Sequence, residues 1–136
     1  VEVGWRFSRS TGGPIAGQII MNIVANRVRL GWGNWLQTID SIPKYMAENE
    51  MPPLIHSTVW DPAFVKLLHA VDGIFDGSAS DLSKSQGTGA IALYWGDLNR
   101  IERPWFREHI LDAINPDTGL RLHPIIGNIG PLSFFK

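Results

Sequence analysis

No cysteine occurs anywhere in the chain. Disulfides and thiolate chemistry are therefore excluded, and any core must hold without covalent staples. Neither sign of charge is in excess: 12 Lys and Arg stand against 13 Asp and Glu, a formal net charge of -1. That balance gives no electrostatic reason to expect a nucleic acid or an anionic membrane as partner. No apolar run approaches the roughly 18 residues of a membrane span, so no membrane insertion is expected. The four histidines, His56, His69, His109 and His123, are dispersed and form no HExxH pair. No metal site and no cofactor are expected. No G-x-S-x-G is present, and Gly87-Thr88-Gly89 lacks the Gly-Lys-Ser/Thr that completes a phosphate loop. The first residues, Val1 to Arg6, lack the charged-then-apolar layout of a signal peptide. Lysis, a holin or a particle is the expected route out of a cell.

What is present suits one domain over 1–136, with an apolar share of 44% that can form a single core. Six tryptophans are many for this length. They read as core and loop anchors, with some free to line a groove. Pro14 is placed to open a helix that runs to about Leu30. Its polar residues Gln18, Asn22, Asn26 and Arg29 share one narrow stripe, and nearly everything else is apolar. Such a helix is mostly buried, and the stripe is either its solvent edge or the wall of a polar cleft. A shorter helical piece follows over 35–42, then an irregular loop over 43–58 with three prolines.

Asp61-Pro62 is a strong helix start, with Trp60 placed to pack on Val65. Phe64, Leu67, Leu68, Val71, Ile74 and Phe75 mark its apolar face, and Gly77 is its stop. Residues 76–90 form a polar Gly/Ser loop. Ile91 to Trp95 reads as a short strand or buried extended piece. A last helix is expected from Pro104 to Asn115, with Trp105, Phe106, Ile110, Leu111 and Ile114 facing in. The tail "HPIIGNIGPLSFFK" should pack as an extended segment over the core. Three helices with short extended pieces predict a mainly α, lysozyme-like fold.

Carboxylates are the remaining source of chemistry. Glycoside cleavage needs a protonated acid at the glycosidic oxygen, often with a second carboxylate or a positioned water. Glu2, Asp81, Asp97 and Glu102 lie at loop edges, and Asp72 and Asp76 at a helix end. Each has an ordinary alternative as a cap or a solvated charge.

Three stretches carry a family resemblance. "GGPIAGQIIMNIVANRV" is similar to a "GEP-x-x-GQ…V-x-NRV" helix. "VDGIFDGSASDLSKSQGTGAIALYW" is similar to a polar turn leading into a Gly-Ala-aromatic segment. "DLNRIERPWF…HPIIGNIGPLSFF" is similar to the closing segment of phage-borne members. Together the chain resembles the SleB-type cell wall hydrolases, a family of spore-cortex-lytic and phage peptidoglycan hydrolases. The resemblance implies a lysozyme-like α fold that cuts peptidoglycan glycan strands as a hydrolase or lytic transglycosylase. It also implies one acid/base Glu and no metal. In the family that Glu precedes the Pro-x-x-Gly-Gln turn. Aligned on Pro14 and Gly17-Gln18, its place falls on or near Phe7, Ser8 or Arg9, and Gly13 stands where a second Glu would be. None of these can act as a general acid at neutral pH.

Two readings follow. In the first, the protein is a glycosidase with Glu2 as displaced acid. Asn26, Tyr94 and Trp95 would contact sugar, and Asp97 or Asp81 would position groups. In the second, it is a non-enzymatic virion component of a tail or baseplate, structural or glycan-binding. The partners expected are peptidoglycan glycan strands and, in the second reading, other virion proteins. The expected location is a phage virion or the bacterial cell wall.

Overall fold

The computed structural model describes residues 2–7, 13–40 and 61–136. Helix α2 (Gly13–Arg29) is the centre of the fold. Pro14 sits in its first turn, where a missing N–H removes no helical bond. From Ile19 to Arg27 every residue is buried. A helix covered on all sides needs more than one partner layer. On one side lie helices α1 (Glu2–Phe7) and α4 (Pro62–Asp76). Trp5, Met21, Ala25, Leu67 and Ile74 form that contact. On the other side Ile19, Ile20 and Ile23 meet Trp95, Leu132 and Phe134 of a sheet. Gly4 lets α1 cross α2 closely, since a Cβ there would sit 2.8 Å from the Gly17 carbonyl oxygen.

The helix ends follow local rules. Asp61 caps α4 by accepting the Ala63 N–H at 2.8 Å, and Gly77 closes it with φ 79°. Short helix α3 (Trp35–Asp40) begins with a reciprocal cap. Asn34 accepts the Gln37 N–H at 2.8 Å, and the Gln37 side chain accepts the Asn34 N–H at 3.0 Å. Of the apolar face expected on α4, Leu67 and Ile74 are fully buried, whereas Leu68 and Phe75 are each 49% exposed. The expected packing of Trp60 on Val65, and the loop over 43–58, lie outside the described residues.

Strands β1 (Tyr94–Asp97), β2 (Pro124–Ile129) and β3 (Leu132–Phe135) form an antiparallel sheet in the order β1-β3-β2. Its second face is covered by α5 (Pro104–Phe106), which continues as a π-helical turn over Arg107–Leu111. Phe106 and Ile110 pack there on Phe135.

The expectation of a mainly α, lysozyme-like fold is therefore corrected: the domain is mixed, with a three-stranded antiparallel sheet as a full layer. The reason is physical. Every residue of β3 is buried, so the strand lacks the alternation that marks a half-buried strand and reads as an apolar tail. Strand β2 holds Pro124 and Gly127, which argue against a strand unless it lies at an edge, as this one does. The last helix is also shorter than expected. It stops at Leu111, and Leu111 and Ile114 are 39% and 51% exposed.

Gly96 tests the packing of the sheet on α5. A Cβ at this position would lie 2.6 Å from Phe106 Cε2. Gly96→Ala should lower stability by about 1–3 kcal/mol in urea denaturation, and Phe106→Leu in the same chain should recover part of the loss. A change below about 0.5 kcal/mol would contradict this packing.

Candidate functional site

The middle of the polar edge of α2 does not face solvent, whereas Gln18 is partly covered and Arg29 is exposed. Asn22, Asn26 and Arg27 are 2%, 3% and 8% exposed. Buried polar groups need partners, and here the partners belong to the segment after α4. Asn22 Oδ1 accepts the Leu82 N–H at 3.3 Å. Asn26 Nδ2 donates to Ser83 Oγ at 2.7 Å. Ser83 Oγ donates onward to Asp81 Oδ1, which also accepts the Ser83 N–H at 2.9 Å. Arg27 Nε donates to the Leu93 carbonyl at 2.7 Å. Its guanidinium lies 5.1 Å from the Tyr94 ring centre and 5.5 Å from that of Trp95. Arg29 reaches the Ile74 carbonyl near the end of α4 at 2.7 Å. The α2 edge is thus a clamp on residues 81–95.

The residues expected to form a site fall in different places. Glu2 starts α1, but its side chain lies outside the described residues, as do residues 8–12, which include Ser8 and Arg9. Asn26 is turned to Ser83. Trp95, 2% exposed, packs in the core between α2 and the sheet. Asp97, 5% exposed, accepts the Asn99 N–H at 2.9 Å and pairs with Arg100, turning the chain at the end of β1. Tyr94 is half-buried, with Trp32 at 5.8 Å between ring centres. Arg27 brings Tyr94 and Trp95 together, whereas Asn26 and Asp97 serve separate contacts. Sequence reasoning did not single out Arg27 or Ser83. The available signal was Arg27's place in the Asn26-Arg27-Val28 stretch of the motif, off the polar stripe of α2.

A cleft of about 420 Å³ lies elsewhere, between the 84–91 loop and the start of β2. Ser85, Thr88, Asn115, Thr118, His123 and Lys136 supply its polar lining, and Leu120 and Ile125 its apolar lining. The loop wall is closed by Ser85 N–H to Ala90 carbonyl at 2.7 Å and Gly89 N–H to Ser85 carbonyl at 2.9 Å. On the opposite wall His123 and Lys136 exchange both backbone hydrogen bonds, at 3.1 and 3.0 Å. The Asn26–Ser83 contact anchors the loop two residues before Ser85. The lining comes from segments 35 and more residues apart in places, with no short motif to announce it.

No protein-family model, no curated protein and no solved structure matches the chain.

Two outcomes follow from the clamp. Asn26→Ala removes the donor to Ser83 and should cost about 1–3 kcal/mol in urea denaturation; a loss below about 0.5 kcal/mol would sink the clamp. Burial raises the Tyr94 pKa above its ordinary value, with Arg27 partly opposing the shift. The folded state then holds this proton more tightly than the unfolded state. Its contribution is present below the ordinary tyrosine pKa and is lost as pH rises through the higher folded value. Tyr94→Phe should therefore flatten the fall of stability on the alkaline side of about pH 10, measured by denaturation at successive pH values.

Proposed function

We propose that this domain binds the glycan strand of peptidoglycan in the cleft between the 84–91 loop and β2, as a recognition module and not a cutting one. The lining of that cleft is the observation that carries the reading. A sugar offers hydroxyl groups at its rim and C–H groups on its faces. Ser85, Thr88 and Thr118 can donate and accept, and the His123 imidazole can do both through its two nitrogens. Leu120 and Ile125 supply apolar surface beside them. A mostly concave site with a few polar groups that fix orientation is the usual form of a small-ligand site.

The three motif stretches support peptidoglycan as the source of the glycan, and the likeness of the closing stretch to phage-borne members supports a virion tail or baseplate as the setting. The state of several carboxylates supports binding over cleavage. A general acid must hold a proton near neutral pH. Asp61, Asp81 and Asp97 are each engaged in capping or turning the chain, accepting backbone N–H groups. Asp76 is held below its ordinary pKa by the hydroxyl and N–H of Ser78.

Co-sedimentation with purified sacculi tests the proposal, with mass spectrometry of the supernatant for released muropeptides. The domain should pellet with the sacculi and release nothing. Ser85→Ala with His123→Ala should weaken retention by about tenfold, the effect of losing one or two hydrogen bonds. Muropeptide release by the parent chain that disappears in Glu2→Gln would overturn the binding reading in favour of a glycosidase.

A further inference from the structure

One polar side chain in the wall of the cleft is buried. Asn115 is 1% exposed, whereas Ser85, Thr88, Thr118 and His123 beside it are half-buried or exposed. Its backbone is pinned twice. The Asn115 N–H donates to the Leu120 carbonyl, and the Asn115 carbonyl accepts the Gly119 N–H, both at 2.8 Å. The side chain is fixed as well. Asn115 Oδ1 accepts the Asp117 N–H at 2.9 Å, the ordinary use of an asparagine in a turn. That bond also settles which end of the amide is oxygen and which is nitrogen.

The turn uses only the oxygen. Among the described residues nothing accepts a hydrogen bond from Asn115 Nδ2. The amide nitrogen is also not one of the unpartnered atoms sealed in the interior. Because Asn115 lines the cleft, its two N–H groups are open to what the cleft holds. An amide donor shielded from most water and lacking a partner is costly, and a ligand oxygen removes that cost. The neighbouring hydroxyls share this polarity. Thr88 Oγ1 accepts the Ala90 N–H and Thr118 Oγ1 accepts the Leu120 N–H, each at 3.3 Å, which leaves both hydroxyl hydrogens to donate. Among the described residues no Asp or Glu lines the cleft. A donor fixed before binding loses little freedom when it binds.

From this we infer that Asn115 is the specificity-determining residue of the cleft. Its Nδ2 donates to an acceptor oxygen of the bound glycan, and a donor group of the ligand cannot take that place. The Asp117 contact keeps the amide from turning over to offer its oxygen instead. The inference rests on the glycan-binding reading and adds the residue that sets the polarity of recognition.

The test follows the Asn115 side chain directly, by proton–nitrogen NMR of the full chain titrated with peptide-free glycan strands from sacculi. The Nδ2 proton pair of Asn115 should shift along the same titration curve as the backbone amides of Ser85 and His123. The Nδ2 pair of Asn34, at the start of α3 and outside the cleft, should stay in place. An asparagine that only held its turn would leave its Nδ2 pair as still as that of Asn34. Asn115→Asp keeps an oxygen for the Asp117 N–H and replaces the donor with a second acceptor. It should weaken retention on sacculi by at least about tenfold. Asn115→Ser also keeps a turn-forming oxygen and removes Nδ2 without burying a carboxylate, and should weaken retention by about tenfold. Thermal unfolding checks that each variant folds. If the strands shift Ser85 and His123 but leave the Asn115 pair in place, or if the folded variants are retained like the parent chain, the role of Asn115 is wrong and glycan binding stands. If the strands shift nothing and the parent chain is not retained, both the role and the glycan reading fail.

Discussion

Burying Asn22, Asn26 and Arg27 on a helix that is covered from Ile19 to Arg27 is the constraint on which the other features depend. An amide or guanidinium removed from water without a partner loses several kcal/mol, enough to consume much of a small domain's stability. The chain meets this demand by bringing one segment to the helix. Leu82 and Ser83 satisfy the two asparagines, and the Leu93 carbonyl satisfies Arg27. The 84–91 loop is therefore held at both ends by α2. A loop with Gly87, Thr88 and Gly89 at its tip has little apolar surface of its own to fix it, so its position comes from these contacts.

The layered core fits the same scheme. Helix α2 carries apolar groups toward α1 and α4 on one side and toward the sheet on the other. Arg27 lies where the sheet side begins, against the Tyr94 and Trp95 rings. The β2–β3 hairpin then completes the sheet, and its first strand becomes the second wall of the cleft. Cation, aromatic and loop contacts thus connect the interior of the helix to the surface that forms the cleft.

Much of the helical part was legible in the sequence. Pro14, the Asp61-Pro62 start and the Gly77 stop act locally, and caps and breakers carry their information within a few residues. The sheet was not legible for a related reason. Strand β3 is buried on both faces and has no period, and β2 is tolerated with Pro124 and Gly127 only because it lies at an edge, a fact of tertiary structure. The polar stripe on α2 was visible, but its use was not. Periodicity distinguishes a polar edge from an apolar one and says nothing of whether water or a loop meets it. The cleft was the least legible feature. Ser85, Asn115, His123 and Lys136 are ordinary polar residues until a loop, a turn and a hairpin bring them together. Glu2, the acid expected to stand in for the one missing from the motif, has no described side chain to set against this.

Native-state hydrogen exchange tests the central claim most directly, that the buried edge of α2 fixes the loop. The amides of Leu82, Ala92 and Leu93, bonded to Asn22, Ser83 and Phe135, should exchange as slowly as those of Ile20 and Ile23, through the same global opening. Exchange of Leu82 and Ala92 as fast as that of Gly87 at the loop tip, while Ile20 and Ile23 remain protected, would contradict the account.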